Sequence, residues 1–105
     1  MIDEIRLKIA DGLYEFSKHA VDQSILRNIS LGELVESIEN GKIIEDYPDD
    51  KYGPSCLILG FTNNGRPIHV QSTYAGREIL RIITLYEPDE NLWIDFQNRR
   101  HANEG

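Results

Sequence analysis

Histidines are the residues of this sequence whose type best suits proton transfer near neutral pH, because an unperturbed imidazole titrates there. His19 and His69 are the two candidates, whereas His101 falls in a predicted tail. The single cysteine, Cys56, has no partner for an internal disulfide and is predicted to be a small buried apolar residue. The residue types therefore favour acid–base chemistry over thiol chemistry.

The patterns of several other site chemistries are missing from the sequence. Ser17 and Ser30 stand at predicted helix starts, so helix capping accounts for both. His19, His69 and the carboxylates lack the spacing of a metal site, and there is no glycine-rich phosphate loop or dinucleotide-binding motif. The sequence therefore predicts no metal and no cofactor.

The charge of the chain is acidic and unevenly distributed. Its formal net charge is −7, and the whole excess lies in residues 1–50, because residues 51–105 hold six acidic and six basic side chains. An acidic balance argues against a sequence-indifferent polyanion binder, so an anionic ligand is expected on the second half. The first residues are mixed and charged, and the longest apolar run covers only residues 57–59. A secretory signal and a membrane span are therefore disfavoured, and a cytoplasmic location is predicted.

The first half of the chain is predicted to form three helices, which must position its candidate site residues. Apolar residues at helical spacing near the N-terminus predict a short first helix, and Ser17 is placed to cap a second helix over residues 18–28. Ser30 and Glu33 form a capping box at the start of a third helix over residues 31–40. The capping box makes the third helix the most strongly marked element of the sequence.

Strand-like segments fill the second half. They alternate with turn residues and cover residues 42–47, 56–62, 67–72 and 78–86, while residues 13–16 predict a short extra strand. This order indicates an α+β fold: a twisted antiparallel sheet of about four strands with two to three N-terminal helices packed on one face. A single domain is predicted over residues 1–105, with a flexible tail over residues 98–105.

The alternation of side chains predicts which residues face away from the helices. Ile68 and Val70 share one face of their strand and are expected to cover the helices, so His69 should lie on the opposite face. On the last strand, strict alternation places Arg81 and Thr84 on different faces. Only a bulge between them would bring both residues to one site.

An ordered series of motifs carries a resemblance to a known family. The motifs are FSKHA at 16–20, RNIS at 27–30, GKIIEDYP at 41–48, LG at 59–60, PIHV at 67–70 and ITLYEPD at 83–89, followed by Trp93. The series resembles short prokaryotic proteins catalogued as a domain of unknown function, whose members look like RelE- and MqsR-type toxins of the barnase, EndoU, colicin and RelE superfold. The resemblance covers residues 14–96 and implies a RelE-like fold.

The resemblance also implies endoribonuclease chemistry, in which the RNA 2′-hydroxyl attacks its own phosphate without a metal. His19 would be the general base, because the helix dipole in the first turn of the second helix disfavours a positive imidazole. His69 would be the acid or a phosphate contact, and both imidazoles should then reach one phosphate. The other implied site residues are two phosphate-contacting arginines and two hydroxyl donors: Arg27, Arg81, Thr84 and Tyr86. The implied partners are RNA and an antitoxin protein with a YgiT-type zinc finger.

Two residues depart from the family pattern and weaken the site that the resemblance implies. Gln23 and Glu87 stand where many relatives carry arginine, and each loss removes a cation that could contact phosphate. Strand propensity alone explains Thr84 and Tyr86, and a cross-strand ion pair explains Arg81. The alternative is therefore a non-catalytic protein-interaction module in which the histidines are structural.

Overall fold

The fold is known from a computed structural model, which describes residues 1–51 and 53–100. Its helices are α1 (Ile2–Ala10), α2 (Lys18–Leu26) and α3 (Leu31–Glu39). Its strands are β1 (Tyr14–Phe16), β2 (Lys42–Tyr47), β3 (Ser55–Phe61), β4 (Pro67–Thr73), β5 (Leu80–Tyr86), β6 (Trp93–Ile94) and β7 (Asn98–Arg99). The predicted α+β class is confirmed.

Five strands form one mixed sheet in the order β1-β5-β4-β3-β2. Strands β2 to β5 are the predicted antiparallel meander, and β1 adds a fifth strand that pairs parallel to β5. The Ser17 side chain ties the end of β1 to β5, because its hydroxyl donates to the carbonyl oxygen of Ile83 and accepts from the Ala20 N–H as the N-cap of α2. Ser17 thus fixes the start of α2 against the sheet.

The three helices pack on one face of the sheet, as predicted. The core that joins them is apolar and fully or almost fully buried; it comprises Ile5, Ile9, Ala20, Ile29, Leu34, Ile38, Cys56, Ile58, Ile68, Val70, Leu80, Ile82 and Leu85. Ile68 and Val70 lie in this core, which confirms the predicted orientation of β4. The burial of Cys56 is confirmed as well, and burial raises the pKa of its thiol.

Helix α3 approaches strand β3 so closely that only glycine fits between them. A Cβ on Gly60 would lie 1.7 Å from the carbonyl oxygen of Ser37, well inside van der Waals contact. Ser37 is buried on α3, and Gly60 pairs with Ile68 in the sheet. The capping box of Ser30 and Glu33 holds the other end of this helix, as the sequence predicted.

Arg66, in the turn between β3 and β4, links three elements. Its guanidinium donates to the carbonyl oxygens of Arg27 and Asn28 at the end of α2, and it pairs with Glu33 and Glu87 at 3.1 Å and 2.7 Å. Positive charge at a helix C-terminus is favourable. The negative charge of Glu87 is therefore balanced by Arg66.

The C-terminal segment contains a short ribbon that reaches into residues 98–105, where the sequence predicts a flexible tail. Asn98–Arg99 pair with Trp93–Ile94 as a short antiparallel ribbon, and Asp95 and Phe96 in its turn have positive φ angles of 52° and 64°. This pairing does not measure mobility, so the flexible tail over residues 98–105 stays a prediction. Residues 101–105 and His101, part of the same prediction, lie outside the described residues.

Candidate active site

The candidate site lies on the face of the sheet opposite the helices, called here the helix-free face. The strand register places Gln71 of β4 opposite Thr84 of β5, and His69 opposite Tyr86. These four residues share the helix-free face, since Ile68 and Val70 point the other way. The structure therefore brings together three of the predicted site residues: His69, Thr84 and Tyr86.

A β-bulge in β5 adds Arg81 to the same face. Gln71 pairs with Thr84 but Ser72 pairs with Ile82, so Ile83 is an extra residue without a partner on β4. The extra residue reverses the alternation, and Arg81 and Thr84 come to lie on one face. The sequence could not decide whether β5 contains this bulge, and the structure shows that it does.

His69 and Tyr86 form a hydrogen-bonded pair at the centre of this face. The Nε2 of His69 donates to the carbonyl oxygen of Phe96, which can only accept, so in the neutral imidazole Nδ1 is the acceptor. The Tyr86 hydroxyl lies 3.2 Å from Nδ1 and therefore donates to it. Trp93 packs edge-on against the imidazole with ring centroids 4.5 Å apart. The tautomer of His69 is fixed, with its basic nitrogen turned toward Tyr86.

The environment keeps both members of this pair neutral at pH 7. His69 is fully buried, and this burial lowers the pKa of its imidazole below the ordinary 6.5. Burial likewise raises the pKa of the partly exposed Tyr86. A neutral imidazole is a proton acceptor, and a protonated phenol is a donor, so the pair can pass a proton from Tyr86 to His69.

A charged cluster borders the pair. Arg99 donates to the carboxylate of Glu45 at 2.9 Å and stacks over Trp93, with 4.7 Å from its guanidinium carbon to the ring centroid. The Tyr47 hydroxyl also donates to Glu45. Burial acts to raise the pKa of Glu45, but the hydrogen bonds from Arg99 and Tyr47 outweigh it and lower the pKa below its usual value. Burial and the same bond raise the pKa of Tyr47 to about 12.

Two predicted site residues lie elsewhere. His19 is exposed in the first turn of α2, and Arg27 ends that helix, where its side chain donates to Gln23 at 3.2 Å. Ala20 of α2 packs in the core on the helix side of the sheet, so the sheet separates His19 from His69. The predicted approach of the two imidazoles to one phosphate is not met in this structure.

The environment of His69 is a feature that the alternation of β4 does not predict. The residue does lie on the helix-free face, but it is buried instead of facing solvent, because the segment Trp93–Arg99 covers it. Sequence reasoning also missed Glu45 and Arg99. Glu45 stood within the GKIIEDYP motif without a role, and Arg99 fell in the predicted tail; no local signal joins two residues 54 positions apart.

The burial of neutral His69 predicts a pH-dependent stability. Because its folded pKa lies below that of an unfolded histidine, the unfolded chain binds the proton more tightly. This contribution to stability is complete above about pH 6.5 and is lost as the pH falls toward the folded pKa, at up to about 1.4 kcal/mol per pH unit. Urea unfolding at pH 7.5, 6.5 and 5.5 measures the loss.

His69→Gln is the control for this pH dependence, since glutamine can donate to Phe96 but does not titrate. Exposed His19 is common to both proteins, and Glu45, whose pKa is lowered, titrates at more acidic pH. The variant should show a flatter profile between pH 7.5 and 5.5. An equal slope in both proteins would contradict the assignment to His69.

Within residues 1–51 and 53–100, no group of three or more His, Cys, Asp or Glu side chains is placed to hold a metal ion. In the same part of the chain, every helix is too short or too polar to cross a bilayer.

Comparison with protein families gives a match over more than half of the chain. A family model described as "Domain of unknown function (DUF4258)" matches residues 16–87. This range contains α2, α3 and β2 through β5, and with them His69, Thr84 and Tyr86. No curated protein and no solved structure matches the chain.

Proposed function

Since the chain belongs to the DUF4258 family, whose model matches residues 16–87, we propose from that premise and from the helix-free face that it is a metal-independent endoribonuclease of RelE-like fold. Its cellular role in this proposal is that of the toxin in a toxin–antitoxin pair. The observation that carries the activity is the hydrogen bond from the Tyr86 hydroxyl to Nδ1 of buried His69.

The proposed reaction uses this pair as a proton relay. The RNA 2′-hydroxyl gives its proton to the Tyr86 oxygen while Tyr86 gives its own proton to Nδ1 of His69. The 2′-oxygen forms a bond to the adjacent phosphorus, and the bond from phosphorus to the 5′-oxygen breaks. The leaving 5′-oxygen takes a proton back through Tyr86, so the products are a 2′,3′-cyclic phosphate and a 5′-hydroxyl.

Neighbouring groups support the charges that develop during this relay. His69 becomes an imidazolium when it takes the proton, and the negative charge of Glu45 favours that form. The carbonyl oxygen of Phe96 keeps the ring in place throughout. Thr84 stands on the same face, two residues before Tyr86, where its hydroxyl can donate to a phosphoryl oxygen.

Incubation of the purified protein with total RNA in the presence of EDTA tests this function. We expect fragments that end in 2′,3′-cyclic phosphate, formed at the same rate by the wild-type protein and by His19→Ala, because His19 lies in the helical layer. Loss of cleavage in folded His19→Ala would place the chemistry at α2 instead. Intact RNA with the wild-type protein would contradict the proposal.

Expression in a bacterial host tests the toxin role separately. The toxin proposal predicts that production of the wild-type protein alone slows growth and that a co-expressed antitoxin restores it. A non-catalytic interaction module, the alternative function, would leave growth unchanged and RNA intact. Growth arrest without RNA cleavage would contradict the proposed ribonuclease activity but would still support the toxin role.

A further inference from the structure

A second concave region lies on the helix-free face, at the opposite end of β5 from Tyr86. It is a cavity of about 430 Å³, lined by Asp50, Thr73, Arg77, Arg81 and Ile83. The bulge at Ile83 brings Arg81 to this face, and the Arg81 backbone N–H donates to the Thr73 hydroxyl oxygen at 3.0 Å. The cavity therefore belongs to the same surface as the His69–Tyr86 pair.

The two arginines of this cavity are the least engaged arginines of residues 53–100. Arg66 and Arg99 are bound to carboxylates, and Arg100 donates to the carbonyl oxygen of Glu90. Arg81 has one long contact, 3.9 Å to Glu15, and both of these side chains are about half exposed. Arg77 makes no hydrogen bond or ion pair with the residues that the structure describes.

The donors and charges of the cavity define the ligand that fits. Two guanidinium groups present forked N–H donors that match phosphate oxygens. Thr73 accepts from the Arg81 backbone N–H, which leaves its own hydroxyl proton for an acceptor in the cavity. With the carboxylate of Asp50, the lining side chains carry a net charge of +1. A monoanion, such as the phosphodiester of a nucleic-acid strand, balances that charge.

We propose that this cavity binds, through Arg77, Arg81 and Thr73, a backbone phosphodiester of the RNA strand that is cleaved at Tyr86. This inference rests on the proposed function for its choice of RNA as the ligand. Arg81 lies five positions before Tyr86 along β5, which corresponds to about 16 Å at the usual rise of a strand. The bound phosphodiester is therefore not the one that reacts, and the substrate is a strand longer than one nucleotide.

Binding of a single-stranded RNA oligonucleotide with 2′-O-methyl groups tests the cavity without cleavage, because the attacking hydroxyl is blocked. Fluorescence anisotropy at several NaCl concentrations gives Kd and its salt dependence. Arg77→Gln and Arg81→Gln should each weaken binding about tenfold. Each should also lower the slope of log Kd against log[NaCl] by about 0.7, the value for one lost phosphate contact on a single strand.

Arg27→Gln is the matched control, since it removes the same charge from the helical layer, and it should bind as the wild-type protein does. Wild-type affinity in both cavity variants, or an equal loss in Arg27→Gln, would overturn the proposal. Binding that depends on Arg77 and Arg81 supports the cavity even when unmodified RNA stays intact. Failure of the ribonuclease and failure of the phosphodiester site are therefore separate results.

Discussion

Replacement of Tyr86 by phenylalanine is expected to slow RNA cleavage by about 100-fold or more while the protein stays folded. The substitution keeps the ring and removes the hydroxyl that donates to Nδ1 of His69. General acid–base catalysis by a positioned group contributes typically about 10²- to 10⁴-fold, and here the relay has no other link to the 2′-hydroxyl. The effect should fall on kcat with little change in KM, measured from the rate of appearance of 2′,3′-cyclic phosphate ends.

Tyr14→Phe is the matched control for this substitution. Tyr14 lies in β1 and packs against the core on the helix side, so removal of its hydroxyl should leave the cleavage rate unchanged. A folded Tyr86→Phe protein that cleaves at the wild-type rate would exclude the relay. The 2′-O-methyl oligonucleotide should bind equally to wild type and Tyr86→Phe, because the phenol is not a phosphate contact in this mechanism.

The second large effect is expected for Gly60→Ala, which should destabilise the fold by about 3 kcal/mol or more. The new methyl group would lie 1.7 Å from the Ser37 carbonyl oxygen, so α3 and β3 must move apart. The atoms that must move belong to the backbone, so no change of side-chain rotamer can relieve the clash. Because small domains are stable by only about 5–15 kcal/mol, the midpoint of urea unfolding should fall sharply.

Gly76→Ala provides the comparison for Gly60→Ala. A Cβ on Gly76 has no heavy atom within 4 Å and its backbone is not in the left-handed region, so the stability should change by only about 0.5 kcal/mol. An unfolding midpoint of Gly60→Ala equal to that of Gly76→Ala would show that α3 does not lie this close to β3 in solution.

Local signals made the helical half of the fold predictable. The capping box of Ser30 and Glu33 depends on residues three apart, and the structure contains both of its hydrogen bonds. The alternation along β4 likewise assigned His69 and Ile68 to opposite faces without any tertiary information. Features that depend on residues close together in the chain could therefore be predicted from the sequence alone.

The remaining features depend on pairings between distant residues. The parallel pairing of β1 with β5 places Glu15 beside Arg81, and the hydrophobic periodicity of neither segment predicts that pairing. The bulge at Ile83 is a property of two strands in register and is absent from either strand alone. The covering of His69 by Phe96 and Trp93 was not predicted for the same reason, because their contacts span about 25 residues.

The packing of Trp93 against His69 gives the molecule an intrinsic optical probe of its candidate site. Trp93 is the single tryptophan of the chain, and only 4% of its surface is exposed to solvent. Its emission therefore reports on this face alone. Displacement of the Trp93–Arg99 segment by a ligand would expose the indole to water and shift that emission to longer wavelength, with no label added and no reaction required.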